Sequence, residues 1–137
     1  MDVLDRFNDR HPFNDHFGVE VTAAADGHAE GRLELADHHS LSETMRLAHG
    51  GVAFSLADTL SAAALASVEG NPGPTIDVRI DYLRPATGDL EGSAEVVRYG
   101  DDTGVVEAEI TQDGAPVATT QGVYKTNLVE GQNPFVD

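Results

Sequence analysis

Between His49 and Val68 the chain reads HGGVAFSLADTLSAAALASV, and apolar residues there point in nearly every direction of a helical wheel. That pattern marks a buried helix rather than a one-faced surface helix, of roughly 27 Å at 1.5 Å per residue. Elsewhere the period is two. Ile76, Val78, Ile80 and Tyr82 alternate with Asp77, Arg79 and Asp81; Ala29, Gly31, Leu33 and Leu35 with Glu30, Arg32 and Glu34; Val106, Ala108 and Ile110 with Glu107 and Glu109. These are strands with one wet face.

Asp26-Gly27 and Asp113-Gly114 are hairpin signals. Gly70 to Pro74, Arg84-Pro85 with Thr87-Gly88-Asp89, and Gly100 to Gly104 break the other segments. The order is a first hairpin, a polar loop over 37–48, the long helix, then four strands, with 90–99 returning from the 76–82 strand and 116–126 closing the meander. This predicts an α+β domain, an antiparallel sheet wrapped around one central helix. The apolar face of 76–82 should lie on that helix. A single sheet leaves the helix's far side bare unless it curls, so a second copy is the natural remedy. One domain over 1–137 suits the length, with an N-terminal arm over 1–12, a core over 13–126 and a C-terminal tail over 127–137.

Charge changes the picture most. Twenty-four acids face seven arginines and the lone lysine Lys125, for a net charge of −16. The regular periodicity argues against a disordered acidic chain and for a folded protein of a salt-rich cytoplasm. There dense carboxylates keep the surface hydrated, and a Debye length of about 3 Å at 1 M salt screens their repulsion. Nucleic acid and anionic membranes are poor partners for such a field. There is no cysteine, which rules out thiolate chemistry and disulfides. The first residues lack a basic segment followed by an apolar one, so a cytoplasmic location is expected.

Asp58 is the one charged residue inside the apolar run, and a carboxylate there must be paired, hydrogen-bonded or wet. Ser55, Asp58, Thr59 and Ala62 forming a water-facing strip would explain it without chemistry. At the run's start, His49-Gly50-Gly51 allows close approach of a ligand to first-turn N–H groups that lack intrahelical partners and so could bind an oxyanion; an ordinary loop-to-helix turn is the alternative. Gly50 and Asp58 are separated by about 12 Å along the axis and point in different directions. They cannot serve one reacting carbon from the same chain, so if both act, the site lies between protomers. His11, His16, His38 and His39 belong to no recognisable metal-ligand spacing, and no metal is expected.

The segments DHFGVEV, DGHAEGRLEL, HGGVAFSLADTLSAAALAS, TIDVRIDYLRPATGD and AEITQDGAPVATTQGVYK, spanning roughly 13–126, resemble the PaaI-like (phenylacetate-degradation) hotdog-fold acyl-coenzyme A thioesterases. The resemblance implies a sheet wrapped on the helix, a homodimer or a tetramer built as a dimer of dimers, and a site between protomers. It implies hydrolysis of an aryl- or medium-chain acyl-coenzyme A, with coenzyme A as part of the substrate and no separate cofactor.

By the same resemblance, the Gly50 amide would bind the thioester oxygen and Asp58 would act as nucleophile or base. Thr75 would help hold water, in place of the family's usual serine, His49 would shape the loop near the thioester, and Gly51 would bind substrate. Glu43 stands where relatives usually carry a substrate-side asparagine. Arg84 is the first candidate to receive coenzyme A phosphates, ahead of Arg46, Arg79, Arg98 and Lys125. A non-catalytic acyl-coenzyme A binding module is the alternative, and a hotdog hydratase a weaker one.

Overall fold

The computed structural model describes residues 2–69 and 73–128. Two short helices, α1 (Val3–Asp9) and α2 (Pro12–Phe17), precede a hairpin of β1 (Val19–Ala25) and β2 (His28–Leu33). The long helix α3 (Gly50–Glu69) follows, then β3 (Thr75–Tyr82), β4 (Leu90–Tyr99), β5 (Thr103–Gln112) and β6 (Ala115–Lys125). Both hairpin signals hold for the expected reason: Asp26 and Gly27, like Asp113 and Gly114, sit at positive φ, the backbone a two-residue turn demands. Gly70 to Pro72 of the expected break and residues 129–137 of the expected tail lie outside the described residues.

One six-stranded antiparallel sheet, in the order β1-β2-β4-β5-β6-β3, wraps α3. The expected return of 90–99 beside 76–82 does not occur. β4 enters the middle of the sheet between β2 and β5, whereas β3 lies at the far edge against β6. The linking segment crosses between them, anchored where the Leu83 amide donates to the Val117 carbonyl and the Ala48 amide to the Ala86 carbonyl. Alternation told which residues share a face and nothing about the partner strand.

The core is the concave sheet face closing on α3, with Leu56, Leu60 and Leu65 of the helix meeting Val21, Leu33, Leu90, Val106 and Ile110. Close approach of helix and sheet depends on Gly31 and Gly92, which are cross-strand partners. A Cβ on Gly31 would come within 2.6 Å of Leu60 Cδ2, and one on Gly92 within 2.7 Å of Leu60 Cδ1. Two glycines side by side form the flat spot that seats Leu60.

The helix is not bare on its far side. The sheet curls, and the N-terminal arm adds cover: Phe7 is buried in the core, and buried Asn14 accepts from Thr59 Oγ1 of α3 while donating to the Phe7 carbonyl. Asn8 straps the outer edge of β1, donating to the Val21 carbonyl and accepting from the Val21 amide, both at 2.8 Å. The bare surface is instead on β3. Ile76 and Tyr82 are 55% and 54% exposed and Val78 and Ile80 only partly covered, because β3 lies beyond the reach of most of α3. The expectation that this face would lie on the helix holds only in part. By length and composition α3 could cross a membrane, yet 67% of its most apolar window is buried inside the fold, as befits a core helix.

Candidate active site

Asp58 lies half-buried in the middle of α3, and one of its oxygens is fully engaged. Oδ1 accepts from the Thr75 hydroxyl at 2.9 Å and from the Tyr124 hydroxyl at 2.8 Å. Two hydroxyl donors on one oxygen fix the plane of the carboxylate and leave Oδ2 without a hydrogen-bond partner among the described residues. The water-facing strip is therefore not the explanation. Thr59 is buried against Asn14, and the Ser55 hydroxyl folds back on the Gly51 carbonyl.

Strict alternation places the Thr75 side chain with Asp77, on the wet face. The structure resolves this with a bulge: Thr75 pairs with Tyr124 and Asp77 with Val123, so Ile76 is the extra residue. An inserted residue turns the side chain before it to the opposite face, and Thr75 joins Tyr124 on the concave side. Tyr124 itself is 1% exposed. Its ring fits only because residue 122 is glycine, where a Cβ would come within 2.7 Å of the Tyr124 ring. Burial first, and the adjacent Asp58 charge second, push the Tyr124 phenol above its ordinary range, so it remains a donor at any working pH. Ser61, one turn beyond Asp58 and also 1% exposed, lies beside the Tyr124 oxygen, but its hydroxyl reaches no hydrogen-bond partner among the described residues. Tyr124 carries no signal in the sequence, because its place beside Asp58 and Thr75 depends on the β3–β6 register, which no local pattern encodes.

At the other end, His49 caps α3. Its carbonyl accepts the Val52 amide and its Nδ1 accepts the Gly51 amide, both at 2.9 Å. The imidazole is thereby fixed in the Nε2–H tautomer when neutral. The Gly50 amide has no partner among the described residues, and as the first helical N–H it lies at the positive end of the macrodipole. Gly50, His49, Tyr82, Leu83, Arg84 and Val117 contribute to an open concavity of about 320 Å³. Arg84 is exposed there and makes no ion pair among the described residues.

The other sequence candidates separate. Glu43 is exposed on the 41–47 loop, lining a different hollow with Leu41, Met45 and Arg46. Arg46 is engaged by Asp37 and the Leu35 carbonyl, and Arg79 pairs with Asp81. His39 is buried and structural, bonded to the Ala36 amide and the Phe17 carbonyl. Among the described residues no group of three or more His, Asp and Glu is placed to hold a metal.

Thr75 and Asp58 are thus brought together, and so are Gly50, His49 and Arg84, but Asp58 does not line the Gly50 concavity. Along α3 the two are about 12 Å apart. One chain carries a hydrogen-bonded carboxylate at one place and, at another, a helix-start amide without a partner among the described residues.

A model of the thioesterase superfamily matches residues 45–119. A Halobacterium salinarum protein whose name assigns it provisionally to the esterases is 35% identical, over 97% of this chain and 89% of its own length. Human acyl-coenzyme A thioesterase 13 is 26% identical, over 80% of this chain and 79% of its own. Among solved structures, a variant of the phenylacetic acid degradation protein PaaI from Thermus thermophilus superposes with a TM-score of 0.75 at 28% identity, covering 83% of this chain and 97% of that one. A hypothetical thioesterase protein from Streptococcus pneumoniae, solved with coenzyme A, gives 0.70 at 29% identity, covering 80% and 86%. With the sheet-wrapped helix already described, these matches establish that the chain belongs to the thioesterase superfamily, as a thioester hydrolase of the hotdog fold.

Proposed function

We propose that this chain hydrolyses acyl-coenzyme A thioesters at a site shared by two protomers, Asp58 coming from one and the Gly50 amide from the other. The observation that carries the reading is the separation of an oriented carboxylate from a helix-start amide, with Oδ2 and that amide both without a partner among the described residues. Asp58 Oδ2 takes a proton from a water, whose oxygen attacks the thioester carbonyl carbon. The exposed Thr75 oxygen, already donating to Oδ1, keeps lone pairs for the same water. Negative charge developing on the carbonyl oxygen is met by the Gly50 amide and the helix N-terminus. Collapse breaks the carbon–sulfur bond, and the departing thiolate takes the proton held by Asp58. The reaction runs on side chains, an amide and water, with coenzyme A entering as part of the substrate.

The open edge of β3, where a copy of the chain could pair, supports the shared site. The β1 edge is strapped by Asn8, while β3 presents Ile76 and Tyr82 at an open edge. The exposed edge, not a bare helix, is the reason for the dimer; two dimers in a tetramer are compatible with it. Arg84 at the rim of the Gly50 concavity is placed to receive a phosphate. Similarity to PaaI supports an aryl acyl group, with medium-chain acyl groups the second class. The acidic composition supports a salt-rich cytoplasm as the setting.

Asp58→Asn keeps the shape and both hydroxyl partners but removes the charge. Thiol release from an aryl and alkyl acyl-coenzyme A panel in molar salt should fall by about 10²- to 10⁴-fold; near-full turnover would sink the assignment. Binding of the panel by the wild type without thiol release would favour a binding module instead.

A further inference from the structure

The Gly50–Gly51 peptide unit is held at both ends. Its N–H, that of Gly51, is taken by His49 Nδ1 at 2.9 Å, and its C=O, that of Gly50, accepts the Tyr82 hydroxyl at 2.7 Å. The Tyr82 ring also leans on Gly50, where a Cβ would meet the phenol oxygen at 3.1 Å and Cζ at 3.3 Å. Of the first three helical N–H groups, those of Gly51 and Val52 are consumed by His49 and that of Gly50 alone is left over. A helix start leaves its first N–H groups without intrahelical partners, whereas its first carbonyls already accept from amides one turn on and need no further donor. Here a tyrosine from the edge strand reaches across to grip one.

Tyr82 is 54% exposed, so burial of its ring does not account for this arrangement. Its phenol is displaced upward from the ordinary tyrosine range by partial burial and stays a donor. From this geometry we propose that Tyr82 is a positioning residue: with His49 it clamps the Gly50–Gly51 peptide, and the adjoining His49–Gly50 peptide, whose carbonyl accepts the Val52 amide, is thereby kept from turning, so that its Gly50 N–H points in one direction, toward the developing oxyanion. The clamp acts through the amide and not on substrate. It rests on the reading of Gly50 as oxyanion donor given above. Because β3 is the proposed pairing edge, the same residue links the donor's aim to dimer formation.

A preorganised donor stabilises the transition state more than the bound substrate, so loosening it lowers kcat and leaves KM nearly unchanged. Tyr82→Phe keeps the ring and deletes the hydroxyl. In the full-length protein in molar salt, kcat for the best acyl-coenzyme A substrate is expected to fall roughly tenfold, less than the 10²- to 10³-fold loss for deleting an oxyanion donor outright. KM, the melting temperature, and affinity for an S-alkyl coenzyme A thioether, which has no carbonyl, are expected to stay within twofold or unchanged. Unaltered kcat would overturn the proposal. A rise in KM with weaker thioether binding would also overturn it, since Tyr82 would then be a substrate contact. Asp58→Asn, assayed in parallel, separates the two readings: an active Asp58→Asn enzyme defeats the proposed function itself, whereas an inactive one beside a fully active Tyr82→Phe defeats only the clamp.

Discussion

Replacing Tyr124 with Phe removes one oxygen from the interior and nothing else. The ring still fills the space that Gly122 leaves, and Asp58 Oδ1 keeps the Thr75 hydroxyl but loses the Tyr124 hydroxyl at 2.8 Å. A hydrogen bond to a charged acceptor contributes about 1.5–3 kcal/mol, which at 1.36 kcal/mol per decade bounds the kinetic effect between roughly ten- and a hundredfold. Half-burial of Asp58 and the surviving Thr75 bond argue for the lower end. The carboxylate regains rotation about its Cβ–Cγ bond, so Oδ2 meets the water in the right geometry less often. We expect kcat to fall about tenfold, KM to hold within twofold, and stability to drop by about 1–2 kcal/mol. Thiol-release kinetics and urea unfolding in molar salt measure both. An unchanged or raised kcat with the stability loss intact would refute the idea that Tyr124 orients Asp58 for catalysis and reduce it to a packing residue.

The remaining predictions concern the scaffold and its charge. Gly31→Ala brings a methyl within 2.5 Å of the Glu20 carbonyl oxygen and 2.6 Å of Leu60 Cδ2, and should lower stability by about 1–3 kcal/mol; an unchanged unfolding midpoint would show that the helix does not depend on the flat spot. Glu95 and Glu107 face each other across β4 and β5, so Glu107→Gln should raise the melting temperature at low salt and lose that advantage in molar salt; an advantage independent of salt would contradict the electrostatic account. His28 has its affinity for a proton raised chiefly by the hydrogen bond to Glu30, with Glu95 adding to it. Its stabilising contribution is therefore fully present below its unfolded pKa of about 6.5 and lost as pH rises through the folded value. Stability curves of wild type and His28→Gln should separate at acid pH and converge above neutrality, by a small amount because both carboxylates are exposed.

Much of this molecule was legible along the chain, and the limit is physical. Turns demanding positive φ and strands with one wet face carry their signals locally, so both Asp-Gly hairpins, the long helix and the strand count could be read directly. Non-local pairing could not. The position of β3 at the far edge, rather than beside β4, decides that Ile76 and Tyr82 are exposed and that Tyr124 reaches Asp58. A single bulged residue, Ile76, reverses the side on which Thr75 stands. The His49-Gly50-Gly51 and Asp58 pair drew notice through residue type at a helix start and inside an apolar run. Tyr82 and Tyr124 drew none, since an aromatic in a strand looks like core until its hydroxyl's partner is seen.

The central claim, that Asp58 and the Gly50 amide act together only across two chains, is tested most directly by complementation. Gly50→Pro deletes the amide hydrogen at the first helical position, where proline is tolerated, and Asp58→Asn deletes the base. Each homodimer should be inactive. Co-expressed with two different tags and purified through both, the mixed dimer pairs an intact Gly50 with an intact Asp58 at one of its two sites, and should recover about half of wild-type turnover per dimer. A mixed dimer as inactive as its parents would contradict the shared site and place both groups in one chain.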